Sequence, residues 1–165
     1  MSKTSVIKLP KGSYTNDDVY ECVITYVMKK DFVGGYLLPL PLTRDSVLNQ
    51  FYSCEIQSQY FIEPKIRHFV ISVSNKRSKR DLLLLGEQIA FLFCPNYQVV
   101  YSLDLETGKY HLHFAVNNYN YYPNKEPLTN LLFEQYLEQI KTILRNFFPS
   151  HMVMLDKGEG GAYYV

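Results

Sequence analysis

The sequence predicts an α+β fold in which helices flank a central antiparallel sheet. Residues 66–73 are rich in β-branched side chains, which is typical of a strand. Residues 97–104 and 110–117 alternate apolar and polar side chains on either side of Thr107-Gly108, which predicts a hairpin. Residues 130–148 carry apolar side chains at helical spacing. Helices combined with an antiparallel hairpin favour a layered α+β sandwich.

One strand and two helices are expected in the N-terminal third, over residues 5–9, 16–30 and 46–53. Asn16 is a candidate cap for the first helix, and Gly34-Gly35 is expected to follow its end. Pro39 and Pro41 interrupt the region 36–64, which gives no functional indication.

In the rest of the chain, a strand is expected over residues 66–73 and a helix over 78–93. A hairpin of strands 97–104 and 110–117 should follow, and then a helix over 130–148 and a strand over 152–155. Ser78 is the candidate cap of the first of these helices. The length of 165 residues suits a single domain over residues 1–165.

Composition indicates an ordinary globular protein, with 47% hydrophobic and 20% charged residues. We expect no membrane association and a cytoplasmic location, because no apolar run reaches the ~18 residues of a spanning helix and the N-terminus lacks a signal-peptide core. Cys22, Cys54 and Cys94 are widely spaced and odd in number, so reduced thiols are expected.

The net charge of +1 neither favours nor excludes a nucleic-acid partner. Four basic residues nevertheless follow the strand at 66–73, and beside a nucleic-acid site they would hold backbone phosphates: Lys76, Arg77, Lys79 and Arg80. The 15 tyrosines also offer rings on which unpaired bases can stack.

A metal site is predicted where the hairpin turns. Side chains alternate along a strand, so His111 and His113 share one face and lie close enough to bind one metal ion. Asp104 ends the preceding strand and is expected near His111 across the hairpin. Two histidines and one carboxylate make an open site for a divalent metal. Glu106, in the turn, is a further candidate ligand or a residue that orients a histidine.

The segment from Asp104 to Asn117 resembles a motif of the HUH endonucleases, and within them the conjugative relaxases, or mobilisation nucleases, of the MOBP type. Their pattern is His-x-Asp-x-x-x-x-His-x-His, often followed by three residues and Asn. This chain reads Asp-Leu-Glu-Thr-Gly-Lys-Tyr-His-Leu-His-Phe-Ala-Val-Asn, with the same spacing. It departs at two positions, because Asp104 replaces the first histidine and Glu106 replaces the acidic residue.

The surroundings of this motif extend the resemblance over roughly residues 15–125. Phe69-Val70-Ile71-Ser72-Val73 is similar to a relaxase strand, and His68 corresponds to a histidine often seen there. Tyr26, within Cys22-Val23-Ile24-Thr25-Tyr26-Val27, is similar in context to the nucleophile that relaxases carry on an N-terminal helix.

The resemblance implies a nuclease that nicks and rejoins single-stranded DNA during mobilisation or replication of a plasmid or mobile element. Tyr26 would form a 5′-phosphotyrosine link, assisted by Glu106, while Asp104, His111 and His113 hold Mg²⁺ or Mn²⁺. Asn117 would hydrogen-bond near the site. The implied partners are single-stranded DNA at a nick site and other mobilisation proteins.

Four alternatives stay open. Tyr20 is a rival nucleophile, placed roughly 240° from Tyr26 around a helix. Tyr136 would be the nucleophile of a small single-tyrosine HUH transposase. The Asp104 exchange, the short chain and the low net charge favour a degenerate, DNA-binding accessory protein. An unrelated metalloenzyme with two histidines and one carboxylate would need neither a tyrosine nor DNA.

Overall fold

The computed structural model describes residues 3–10, 14, 16–73, 77–105, 110–158 and 162–164. Its four helices are α1 (Val19–Met28), α2 (Arg44–Gln57), α3 (Lys79–Phe91) and α4 (Asn130–Phe147). Its seven strands are β1 (Thr4–Lys8), β2 (Phe32–Tyr36), β3 (Ile66–Val73), β4 (Val99–Asp104), β5 (Tyr110–Asn117), β6 (Met152–Asp156) and β7 (Ala162–Tyr164).

All seven strands belong to one sheet, in the order β2-β4-β5-β3-β1-β6-β7. Neighbouring strands are antiparallel except β1 and β6, which run parallel. The predicted α+β class is therefore confirmed, with a central sheet that is antiparallel in all but one of these pairs.

The register of the three middle strands decides which side chains share a face. Asp104 pairs with His111 across the β4–β5 hairpin, as the sequence predicts. On the other side of β5, Val70 of β3 pairs with His113 and Ser72 pairs with His111. Directly paired residues point to the same side of a sheet, so these five side chains project from one face.

Helices cover both faces of the sheet. Helices α1 and α2 pack on the face that carries the two histidines, around buried Ile24, Phe51 and Ala115. Helices α3 and α4 pack on the opposite face, where Phe69 and Phe114 stack with ring centroids 4.7 Å apart. The metal-ligand candidates thus lie on the α1 side.

Two expectations for the N-terminal third are wrong. The first helix begins at Val19 and not beside an Asn16 cap, and Gly34-Gly35 lies inside β2. A Cβ at position 35 would lie 2.8 Å from the Val99 carbonyl oxygen, so glycine permits β2 to pair closely with β4. Helix α2 is also longer than expected, since Thr43 and Ser46 form a capping box at its start.

Most other elements lie close to where the sequence predicts them, although β7 was not expected. Strands β3 and β5 have the expected bounds, and Ser78 caps α3 by accepting a hydrogen bond from the Asp81 backbone N–H. Among the described residues, the three cysteines are free thiols. Within the same ranges, no helix combines the length and apolarity needed to cross a bilayer.

Candidate functional site

Three potential metal ligands meet at one end of the β4–β5 hairpin. Asp104, His111 and His113 each offer a ligand atom, and these atoms lie within 4.8 Å of one another. Asp104 and His113 are buried and His111 is half-buried. The structure therefore brings together the triad that the sequence predicts, and this group could hold a metal ion.

The environment of His113 suits a metal ligand. Its two ring nitrogens are buried and make no hydrogen bond within the described part of the chain. Burial, followed by the nearby Lys30 charge, lowers the His113 pKa to about 4. The ring is therefore neutral at pH 7, which is the form that binds metals. The Asp104 carboxylate lies 3.9 Å from Nε2, beyond hydrogen-bonding distance but directed at the same space.

Tyr26 lies beside this triad, near the C-terminal end of α1. Its ring stands edge-on to His113, with centroids 5.4 Å apart, and edge-on to His68, with centroids 5.5 Å apart. The side chain is 40% exposed. Tyr26 and the triad line one cleft of about 230 Å³, which we call the triad cleft.

Lysines supply the positive charge of the triad cleft. The Lys30 ammonium lies 3.3 Å from Asp104 Oδ2 and 4.5 Å from the centre of the Tyr26 ring. Lys29 lies 5.2 Å from the same ring, and Lys8 of β1 lines the cleft. No sequence motif marked these lysines as part of the site. Lys29 and Lys30 nevertheless follow Tyr26 at the three- and four-residue spacing that groups side chains on one face of a helix.

His68 extends the imidazole cluster along β3. Its ring lies roughly parallel to His113, with centroids 6.3 Å apart, and its Nδ1 lies 3.4 Å from the Tyr14 hydroxyl. Burial, followed by the Lys30 charge, lowers the His68 pKa to about 4. Like His113, it is an uncharged side chain at pH 7 beside Tyr26.

The two rival tyrosines lie away from the triad cleft. Tyr20 is completely buried between α1 and α2, edge-on to Phe51 and Tyr52. Tyr136 packs against Phe93 and Tyr97 in the core on the opposite face of the sheet. Of the three candidate nucleophiles, Tyr26 alone lines the cleft with the triad.

Asn117 lies at the far end of β5 from the triad and is completely buried. Its side-chain amide donates to the Gln98 side chain and to the Phe51 carbonyl, and its Oδ1 accepts from the Tyr119 backbone N–H. These contacts join α2, the end of β5 and the residue that precedes β4, and they leave Asn117 outside the triad cleft.

The described members of the predicted phosphate-binding cluster, Arg77, Lys79 and Arg80, lie at the start of α3 and do not line the triad cleft. Arg77 lies over the Phe148 ring, and Lys79 lies 3.7 Å from the centre of the Phe32 ring. Lys79 and Arg80 line a separate groove beside α3. Lys76 and the candidate catalytic residue Glu106 lie outside the described residues.

Compared with known proteins, the chain matches no family model, no curated protein and no solved structure.

Proposed function

We propose that this protein is a metal-dependent tyrosine nuclease that nicks and rejoins single-stranded DNA through a 5′-phosphotyrosine intermediate, in mobilisation or replication of a plasmid or mobile element. One observation carries the proposal: a partly exposed tyrosine shares a cationic cleft with a two-histidine, one-carboxylate cluster. The choice of DNA as the substrate rests on the resemblance of residues 104–117 to the relaxase motif.

Tyr26 is the proposed nucleophile. The Tyr26 hydroxyl releases its proton to solvent as its oxygen forms a bond to phosphorus. The bond from phosphorus to the 3′ oxygen breaks, and the departing oxygen takes up a proton from solvent to become a 3′-hydroxyl. The phosphotyrosine conserves the energy of the broken ester, so attack by a 3′-hydroxyl rejoins the strand. Lys30, close to both Tyr26 and Asp104, supplies positive charge where negative charge develops.

Asp104, His111 and His113 are the proposed ligands of a divalent metal, Mg²⁺ or Mn²⁺. The buried, unpaired nitrogens of His113 fit this role, because a metal would supply the partner that they lack in the described chain. The carboxylate of Asp104 is a hard oxygen ligand of the kind that both ions accept. When bound, the metal would polarise a non-bridging phosphate oxygen and orient the phosphate.

A second candidate is a DNA-binding accessory protein that has lost catalysis. The contact between Lys30 and Asp104 favours it, because an ammonium 3.3 Å from the carboxylate balances the Asp104 charge without a metal. The two candidates differ in metal affinity, since a protein that only binds DNA needs none.

The decisive experiment is a search for a covalent protein–DNA adduct. Labelled single-stranded DNA from the origin of the encoding element is incubated with the protein and Mn²⁺ or Mg²⁺, and a denaturing gel separates the products. We expect an adduct with the wild-type protein that disappears in Tyr26→Phe and in His113→Ala. Calorimetric titration with Mn²⁺ should show uptake by Tyr26→Phe but weakened uptake by His113→Ala.

Tyr136→Phe and Tyr20→Phe are the matched controls, because each removes one hydroxyl away from the triad cleft. Both should retain the adduct. An adduct that persists in Tyr26→Phe would assign the nucleophile to another residue. Retarded DNA without any adduct, together with no metal uptake, would favour the accessory protein.

A further inference from the structure

A second cavity lies along β3 from the triad cleft. It has a volume of about 250 Å³, and we call it the edge pocket. Its walls include Tyr14 and Pro64 together with Arg67, His68 and Phe133. None of these residues belongs to the triad, so the pocket is a separate site.

A groove joins the edge pocket to the triad cleft. This groove, of about 370 Å³, shares Tyr26 and Val70 with the triad cleft and shares Tyr14 and His68 with the edge pocket. Along β3, Val70 and Arg67 are three residues apart, or roughly 10 Å at the usual strand rise, and their side chains point to opposite faces of the sheet. A linear polymer bound in the cleft therefore has a path along the groove to His68 and around the edge of β3 into the edge pocket.

The edge pocket lies where β3 loses its neighbouring strand. Strand β1 ends at Lys8, which pairs with Val70. Over Ile66–Phe69, β3 is paired with β5 on one side, and no described strand pairs with it on the other. An unpaired strand edge presents backbone N–H and C=O groups, which are donors and acceptors for a ligand.

The side chains of the edge pocket combine aromatic rings with polar atoms that have no partner among the described residues. The Arg67 guanidinium lies over the Phe133 ring, 4.8 Å from its centre. One terminal nitrogen of Arg67 donates to Asn130 Oδ1 at 2.6 Å, while Arg67 Nε is buried without a partner among the described residues. His68 Nε2 is also buried without a partner among the described residues. Arginine planes and aromatic rings are the surfaces on which unpaired bases stack.

We propose that the edge pocket binds a nucleobase of the DNA strand whose scissile phosphate lies in the triad cleft. The inference rests on the proposed function, and it adds a site that reads the strand beside the nick. The strand rise of roughly 10 Å between Val70 and Arg67, together with the turn around the edge of β3, places this base a few nucleotides from the scissile phosphate. A planar heterocycle is suited to a pocket that combines unpaired polar atoms with an arginine plane supported by the Phe133 ring, whereas a bare phosphate backbone makes no use of a stacking surface.

Fluorescence anisotropy on the full-length protein with Mn²⁺ tests the proposal. The probes are labelled twenty-nucleotide homopolymers of each base and an abasic oligomer with the same number of phosphates. The wild-type protein should bind its preferred homopolymer about tenfold more tightly than the abasic oligomer. Phe133→Leu, which keeps an apolar side chain but loses the ring, should lower that ratio several-fold without weakening binding of the abasic oligomer.

Two further variants guard against a general loss of structure. Phe133→Tyr retains the ring and should retain the ratio, and Leu131→Ala changes an exposed residue of the same helix and should leave the ratio unchanged. Arg67→Gln provides a second test inside the pocket and should lower the ratio as Phe133→Leu does.

The adduct assay, run in parallel, separates failure of this inference from failure of the proposed function. Adduct formation together with a ratio near one, or a ratio that is unchanged in Phe133→Leu and Arg67→Gln, would overturn the edge pocket alone. A wild-type protein that binds none of the oligomers and forms no adduct would overturn both proposals.

Discussion

The ring of Tyr26 stands edge-on to the ring of His113 at 76°, with 5.4 Å between the ring centroids. One residue belongs to α1 and the other to β5, so this contact is fixed by the packing of the helix on the sheet. A candidate nucleophile and a candidate metal ligand are therefore held by the same contact. Any change that shifts α1 on the sheet should alter both functions together.

Replacing Lys30 with methionine should change metal affinity and nicking in opposite directions. Methionine keeps an apolar side chain but removes the charge that lies 3.3 Å from Asp104 and 4.5 Å from the Tyr26 ring. Without that charge, the triad should bind Mn²⁺ about tenfold more tightly in a calorimetric titration. The single-turnover rate of adduct formation should fall by about tenfold or more, because the charge proposed to stabilise the reacting phosphate is lost.

Lys29→Met is the matched control, since Lys29 is exposed and lies 5.2 Å from the Tyr26 ring. Both effects should be clearly smaller there. If Lys30→Met weakened metal binding and nicking together, Lys30 would have a structural role and not the electrostatic one proposed.

The stability of the metal-free protein should fall as the pH drops from about 6.5 towards 4. Burial lowers the pKa of His68 and of His113 to about 4, so the unfolded chain, with ordinary histidine pKa values near 6.5, binds more protons than the folded protein in this range. The stabilisation is fully present above pH 6.5 and is lost on acidification. Urea unfolding in EDTA should show a loss on the order of 3 kcal/mol between pH 7 and pH 5.

His68→Phe separates the two histidines, because phenylalanine keeps a ring against Tyr26 and does not titrate. The pH dependence of its unfolding free energy should be about half that of the wild-type protein. An unchanged pH profile in this variant would show that other groups cause the acid sensitivity.

Asn117→Ala should destabilise the protein without changing DNA affinity. The substitution removes the amide that contacts Gln98, Phe51 and Tyr119, and it leaves their buried polar groups unpaired. We expect a loss of about 1–3 kcal/mol in urea unfolding. Anisotropy at a temperature where the variant is folded should give a DNA dissociation constant within about twofold of wild type. Normal stability with weakened DNA binding would instead place Asn117 in the DNA site.

Gly35→Ala should cost about 1–3 kcal/mol of unfolding free energy, because the new Cβ would lie 2.8 Å from the Val99 carbonyl oxygen, a backbone atom of the paired strand. Gly34→Ala should cost less, since its Cβ meets the far end of the Tyr101 side chain, which can move. Equal losses in chemical denaturation would show that β2 and β4 separate in both variants.

The sequence predicts the triad because the necessary information is local. Side-chain alternation along β5 places His111 and His113 on one face, and a short hairpin returns Asp104 to the same edge. Burial of one face enforces this register, since a slip of one residue would turn every apolar side chain of β5 towards the wrong side. The bounds of β3 and the Ser78 cap were also predictable, because a run of β-branched residues and a capping serine are local signals.

The rest of the site depends on contacts between distant segments. Lys8 reaches the triad cleft only through the pairing of β1 with β3, and His68 approaches Tyr26 only because α1 packs on that face. The sequence did not predict strand β2, because glycines usually weaken strands. Glycine is favoured here by the close approach of β2 to β4, which depends on tertiary packing. None of these contacts leaves a periodic pattern in the sequence.

The parallel pairing of β1 with β6 places Thr4 beside Met152, so β1 is completed by a strand that is synthesised only after α1 to α4. Until residues 152–156 leave the ribosome, β1 has an open edge, and an open edge can pair with another nascent chain. Assembly of the sheet around Lys8 must therefore wait for β6. A pause in translation after α4 would prolong the interval in which the chain is prone to aggregate.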